Sequence, residues 1–380
     1  MEIEDETVLR VARLAIGDPI AELRGWSGHP IGGGATGEVG TAGGVQRIAG
    51  IARSNDREVA WSVIVKILHQ SHIQLDADTG VEASDPHGWA YWHREADAYR
   101  SGLPRDLGGM IAPRCFRSDE IDGEVALWLE DMPDQGPPVW ALERYGIAAR
   151  HLGQFNGSYL TGRPLPSHPW LSSGRVTEWT DLAGPGIRAM RSGRPDGLAS
   201  EWLSERSVTR IERLWIARSR LIGTLESLPV TLCHHDAGRR NLAVRLVDGV
   251  EYTGAIDWQM IGVGHLGEEP AAMFTVSLQM LDVPSLDIVA FEEVVLGGYI
   301  EGLRDTGWDG DPTAVRLGFA IAASLMMGVG GAGLWFTMVR SDGGALAERI
   351  VGRPREDIAA QWSELQSYLL DLGEEALATI

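Results

Sequence analysis

Apolar positions along the chain change their period more than once. Val8, Val11, Leu14, Ala15 and Ile16 recur at helical spacing within residues 8–25 and run into Gly17-Asp18-Pro19, which predicts a helical preface closed by a break. The stretch HPIGGGATGEVGTAGGVQRIAGIA is dense in glycine, and VAWSVIVKIL after SNDR is rich in β-branched and aromatic residues, so strands and turns are expected here. Along the second of these, Trp61, Val63, Val65 and Ile67 share one face while Ser62, Ile64, Lys66 and Leu68 share the other. A lysine is therefore expected on an otherwise buried-looking strand. Residues 69–88 are polar and acidic and predict a loop, and WAYWHREADAYR predicts a helix ending near Ser101 and Gly102. A turn and strand are expected near residues 111–116, followed by a further turn, a strand and a Pro/Gly break in DGEVALWLEDMPDQGPP. Beyond that break, GIAARHLGQFNGSYL places Ile147, His151, Phe155 and Tyr159 on one helical stripe, and residues 201–228, 286–303 and 355–378 also have helical patterns. A strand-rich first third thus precedes a helix-rich remainder, with no internal repeat or heptad array.

With 380 residues, 44% of them hydrophobic, the chain can form one large two-lobed domain or two ordinary ones. A net charge of -20 disfavours nucleic acid and anionic membrane as partners and favours a cationic ligand, but excess surface carboxylate also simply keeps a protein soluble, so charge alone selects no function. Cys115 and Cys233 are too few and too far apart for a disulfide framework or a clustered-cysteine zinc site, which fits a reducing cytoplasm. The acidic opening MEIEDETVLRVARLAIGDPI does not resemble a secretory signal, so a cytoplasmic location is expected. Residues 317–339 carry no charge and are long enough to span a bilayer. Against a membrane helix stand Gly328, Gly330, Gly331 and Gly333, and Ser324 and Thr337 suit a helix pair buried inside a large lobe.

Gly32, Gly34 and Gly37 fit G-x-G-x-x-G, with Val39 two positions later. A dinucleotide-binding fold needs a helix opening at the third glycine, whereas EVGTAGGVQRIAG resumes with β-branched and glycine residues. A strand-loop-strand flap, whose backbone N–H groups approach phosphate oxygens, fits better. Lys66 in mid-strand needs partners unless it sits on an edge strand and reaches solvent. Nucleotide phosphates and Glu95 from the next helix would supply them, Glu82 being less suited because it falls in the loop.

The segment CHHDAGRRNLAV holds Asp236 and Asn241 five positions apart, and Asp257 follows in GAIDW. Phosphoryl transfer needs a carboxylate near the attacking hydroxyl and oxygen ligands for magnesium. Asp236 suits the first role, and Asn241 with Asp257 the second; each taken singly also reads as a turn-capping residue. His234 and His235, adjacent on an extended chain, point to opposite sides, so a structural histidine is expected rather than a paired transition-metal site.

The combination GGGATGEV, VIVKIL, READAY, LWLEDM, HHDAGRRN and IDWQ, spanning about residues 27 to 275, resembles the aminoglycoside phosphotransferase and choline kinase group of small-molecule kinases, relatives of protein kinases. The resemblance implies an α+β, bilobal, protein-kinase-like fold: a small antiparallel-sheet N-lobe over residues 1–133 and a larger, mainly helical C-lobe over 134–380. It implies Asp236 as catalytic base or acceptor-orienting residue, Asn241 and Asp257 as Mg2+ ligands, and Lys66 paired with Glu95 over the phosphates of ATP beneath Gly32, Gly34 and Gly37. Leu129 to Met132, with Glu130 and Met132, would be the hinge that meets adenine through backbone groups. The family usually has glycine where this chain has His235, and an aspartate near the position of Glu269. The expected activity is transfer of the γ-phosphate of ATP to a hydroxyl of a small-molecule acceptor, foremost an aminoglycoside or amino sugar. A neutral sugar, nucleoside or amino alcohol, or a nucleotide-binding pseudokinase, are the alternatives.

Overall fold

Three tight turns fix the strand pairings. In the computed structural model, which describes residues 3–31, 42–70, 84–192, 197–342 and 344–380, Asn55 and Asp56 have φ of 48° and 58°, Asp122 and Gly123 of 53° and 83°, and Asp248 and Gly249 of 51° and 79°. Two successive left-handed residues give a turn whose twist matches that of an antiparallel hairpin, and Asn, Asp and Gly are the residues that tolerate it.

A first helix α1 (Asp5–Ile16) precedes β1 (Glu22–Pro30), β2 (Ala42–Ser54) and β3 (Arg57–Leu68); then come α2 (Arg94–Ser101), β4 (Met110–Ile111), β5 (Cys115–Ile121) and β6 (Glu124–Glu130). Five of these strands form an antiparallel sheet in the order β1-β2-β3-β6-β5. The predicted alternation along β3 holds. Trp61, Val63 and Val65 pack with Val8 and Val11 of α1 on one face, and Leu68 joins the main core on the other. The helical spacing read over 8–25 stops sooner, because Gly17 takes φ 77° and caps α1, and the following residues enter β1. The strand expected near 111–116 also divides: Met110–Ile111 pairs in parallel with a C-lobe strand, whereas Cys115–Ile121 closes the N-lobe sheet.

The remainder comprises α3 (Leu142–Leu160), α4 (Arg175–Leu182), α5 (Gly184–Ser192), α6 (Gly197–Trp202), α7 (Glu205–Glu226), β7 (Val230–Cys233), β8 (Leu242–Val247), β9 (Val250–Ala255), β10 (Gly262–His265), α8 (Glu268–Gln279), α9 (Ile288–Asp305), α10 (Pro312–Ala323), α11 (Ala332–Asp342), α12 (Ala345–Val351) and α13 (Arg355–Thr379). Strand β7 pairs with β10, and β4-β9-β8 form a second small sheet. The segment 133–138 leaves β6 and is strapped onto β8, with Val244 N–H donating to Asp134 at 2.8 Å and Gln135 N–H to the Val244 carbonyl at 3.0 Å. Helix α3 buries Tyr145, Ala148, Ala149, Leu152 and Phe155; the stripe expected through Ile147 is rotated, and Ile147 is 41% exposed.

The uncharged run of residues 317–339 forms α10, a wider π-type turn at Ser324–Gly331 and α11. Length and composition would let it cross a membrane, but 83% of its most apolar window is buried within the protein. It serves as the centre of the C-lobe, against α13 and α7.

Helices α3 and α9 approach backbone to backbone because glycines face each other. A Cβ on Gly302 would lie 1.9 Å from the Arg150 carbonyl oxygen, and one on Gly298 would lie 2.2 Å from that of Gly146. Substituting Gly302→Ala should therefore destabilise the protein by about 2–4 kcal/mol, although alanine is the better helix former, because the backbones must separate. Urea unfolding of the variant checks this; an unchanged midpoint contradicts it.

Candidate active site

Strand β3 directs Lys66 inward, where its side chain is 11% exposed. Its Nζ lies 2.6 Å from Glu95 Oε2 on α2 and 2.8 Å from Asp257 Oδ1. Because β3 is the middle strand of five, the edge-strand alternative falls away. Burial works against the ammonium, but the Asp257 and Glu95 carboxylates outweigh it and hold Lys66 above its ordinary pKa. Burial raises Glu95 against the pull of Lys66, while Asp257, also opposed by burial, is held below its ordinary value by the Lys66 charge.

The β8–β9 hairpin brings Asn241 to Asp257. Leu242 pairs with Ala255 across it, and Ile256 N–H donates to the Asn241 carbonyl at 3.0 Å. Asn241 Nδ2 donates to the Asp236 carbonyl at 2.9 Å and to Asp236 Oδ2 at 2.8 Å. The sequence-predicted Lys66, Glu95, Asp236, Asn241 and Asp257 thus form one connected group. The amide nitrogen of Asn241 is spent on Asp236, which leaves its oxygen as the end able to meet a hard cation. Among the described residues no three His, Cys, Asp or Glu side chains are grouped to hold a metal by themselves. An oxygen pair from Asn241 and Asp257 fits a cation whose remaining ligands are phosphate and water.

The loop carrying Asp236 is tied down by its backbone. Glu269, in the first turn of α8, accepts from His234 N–H at 2.6 Å and from His235 N–H at 3.1 Å. Asp236 N–H donates to His234 Nδ1 at 3.2 Å, so the His234 proton sits on Nε2, which donates to the Ile256 carbonyl at 3.0 Å. Burial lowers the pKa of His234, and its ring packs edge-on against Trp258. The expectation of a structural histidine beside Asp236 is met, and His235 diverges toward Glu268. The carboxyl of Asp236 is pushed up to about 7 by burial and then by the like charge of Asp257, with Arg175, Asn241 and Lys66 pulling the other way.

Two arginines escaped the sequence reading. Arg175 on α4, buried, donates to the His235 carbonyl. Arg94, fully buried, donates to the carbonyls of Pro86, Gly88, Trp89, Trp170 and Gln259, joining α2 to the turn after Asp257. Gly32, Gly34, Gly37 and Glu82 lie outside the described residues. Glu130 is the last residue of β6 and Met132 lies two residues beyond it, and Glu130 N–H is committed to the Arg114 carbonyl at 2.8 Å.

An antiparallel sheet beside a helical lobe, with the Lys66–Glu95 pair meeting Asp257 and the Asn241–Asp236 loop joined to it through the β8–β9 hairpin, is a protein-kinase-like arrangement. Residues 128–292 match the phosphotransferase enzyme family. Solved structures share the fold at low identity. A choline kinase from Cryptosporidium parvum has TM-score 0.55 and 11% identity, covering 99% of this chain and 97% of its own. A microcompartment-associated aminopropanol kinase has 0.51 and 12%, with 99% and 98% covered. An amicoumacin kinase solved with AMP-PNP and Ca2+ has 0.50 and 13%, with 94% of each chain covered. No curated protein sequence matches the chain. Residues 128–292 thus match that family on a protein-kinase-like fold, and the chain is an ATP-dependent small-molecule kinase.

A carboxyl titrating near 7 when folded but near 4 when unfolded binds more protons in the folded state between those values, so its contribution to stability declines as pH rises from about 4 to 7. In ligand-free protein, Asp236→Asn should remove that cost, gaining about 1–2 kcal/mol at pH 8 and little at pH 4, since solvent reaching the cleft reduces the full effect. Melting curves at both pH values check this; equal gains contradict it.

Proposed function

We propose that the chain transfers the γ-phosphoryl group of ATP to a hydroxyl of an amino sugar or aminoglycoside. The observation that carries the chemistry is that the Lys66–Glu95–Asp257 cluster and the Asn241–Asp236 pair are brought together by the backbone bond from Ile256 N–H, beside Asp257, to the Asn241 carbonyl. Asp236 orients the acceptor hydroxyl and takes its proton, helped by a pKa raised toward neutrality. Lys66, fixed by Glu95, meets the nucleotide phosphates. Asn241 and Asp257 would hold Mg2+, which supplies charge neutralisation for the phosphate oxygens. Adenine lies against the Leu129 to Met132 hinge, the lobes divide near residue 133, and the enzyme works in the cytoplasm. A pseudokinase is disfavoured, because Lys66, Asn241 and Asp257 are all present in one group.

The acceptor class rests on the net charge of -20, which concentrates cations at the surface. Arg175 favours a second reading. A buried guanidinium beside the Asp236 loop makes the immediate surroundings of the attacking hydroxyl unfavourable for an ammonium, which suits a neutral sugar, a nucleoside or an acceptor whose amine lies well away from the hydroxyl.

ADP release from Mg·ATP should be stimulated by at least one member of a panel of aminoglycosides, amino sugars, choline, nucleosides and neutral sugars. Amine-bearing members should act best, and Asp236→Ala should cut the stimulated rate by about 100-fold or more. Stimulation by neutral members alone establishes the second reading. No stimulation by any, or undiminished stimulation in Asp236→Ala, overturns the kinase reading.

A further inference from the structure

His235 occupies backbone that suits glycine. Its φ is 66°, where a non-glycine residue costs about 1–2 kcal/mol, and its side chain is 1% exposed. The surroundings are shaped to take that side chain. Imidazole Nε2 lies 3.4 Å from Glu268 Oε2. A Cβ on Gly264 of β10 would come within 2.4 Å of the same Nε2, so the strand cedes its side-chain space to the ring. Glu268 is itself fixed, since its Oε1 accepts from His265 N–H at 2.8 Å and lies 2.9 Å from His265 Nδ1.

The backbone around this wedge is held on both sides. The peptide linking His235 to Asp236 has its carbonyl bound by Arg175 and its N–H bound by His234 Nδ1. Rotation of that peptide unit would swing the Asp236 side chain, and a misplacement of about 1 Å can cost a factor of 100 in rate. We propose that His235 is a positioning residue: a side-chain wedge between β10 and α8, seated on Glu268 and clamped at its carbonyl by Arg175, that sets the direction in which Asp236 faces the acceptor. The catalytic half of this statement rests on the kinase reading above.

The test compares full-length wild type with His235→Gly, His235→Gln and Glu268→Gln by residue-resolved hydrogen exchange, melting temperature and steady-state kinetics with Mg·ATP and whichever panel acceptor stimulates most. In His235→Gly the strain is relieved, so melting should stay within about 5 °C of wild type. Its Asp236 and Ala237 amides should exchange about tenfold faster, and kcat should fall about tenfold with KM for ATP within about twofold. His235→Gln, whose amide nitrogen reaches toward Glu268, should recover part of the loss. If His235→Gly does not fold, faster exchange at the same two amides in Glu268→Gln supports the proposal, and wild-type exchange there overturns it. Unchanged exchange in a folded His235→Gly overturns it whatever the kinetics, as does faster exchange with unchanged kcat. Absence of acceptor-stimulated turnover in wild type is instead a failure of the kinase reading, and the exchange comparison then decides the wedge.

Discussion

An ammonium buried beneath a β-sheet must be neutralised, and the site grows from that requirement. Lys66 draws Glu95 from α2 and Asp257 from the turn after β9, and so joins three segments remote in sequence. Lys66 and Arg175 face these two carboxylates and Asp236, which leaves negative charge in excess. Asp236 is displaced upward by burial first and then by the like charge of Asp257. A cleft of this kind is arranged to receive a further cation and the phosphates it accompanies.

The carboxylates hold the reacting groups, but backbone anchoring holds the carboxylates. Glu269 takes two consecutive N–H groups of the loop, and Asn156 Nδ2 donates to the Leu232 carbonyl just upstream at 2.7 Å. Asn156 belongs to α3 and also accepts from Tyr299 of α9 at 2.8 Å, so the glycine-lined contact of α3 with α9 sets the height of the strand that feeds the loop. Packing far from the cleft is in this way transmitted to Asp236 through a short run of hydrogen bonds.

Much of this was legible in the residues alone. A lysine in a β-branched strand, a glutamate in the following helix and the spacing of Asp236, Asn241 and Asp257 announce themselves, because each sets a polar group into an apolar pattern. The hairpin turns were equally open to reading, since two left-handed residues demand Asn, Asp or Gly. Arg94 and Arg175 were not, because their burial is created by carbonyls from distant loops, which leave no periodic trace. The His235 substitution was visible as a departure from the family pattern, but its meaning lies in a backbone angle and in the space left by Gly264. The α3 stripe was misplaced for a related reason: the buried face mixes Tyr145, Ala148, Ala149 and Leu152 with Arg144, Asn156, Gly153 and Gly157, which carry no hydrophobic signal.

Arg94 has a mechanical consequence. Its guanidinium gathers carbonyls from residues 86–89, from Trp170 and from Gln259, and at about 1 kcal/mol or more apiece these bonds cannot be surrendered together within an ordinary catalytic cycle. Helix α2 is therefore bolted to the lower half of the molecule. Displacing β3 relative to α2 would then have to turn about, or break, the Lys66–Glu95 ion pair.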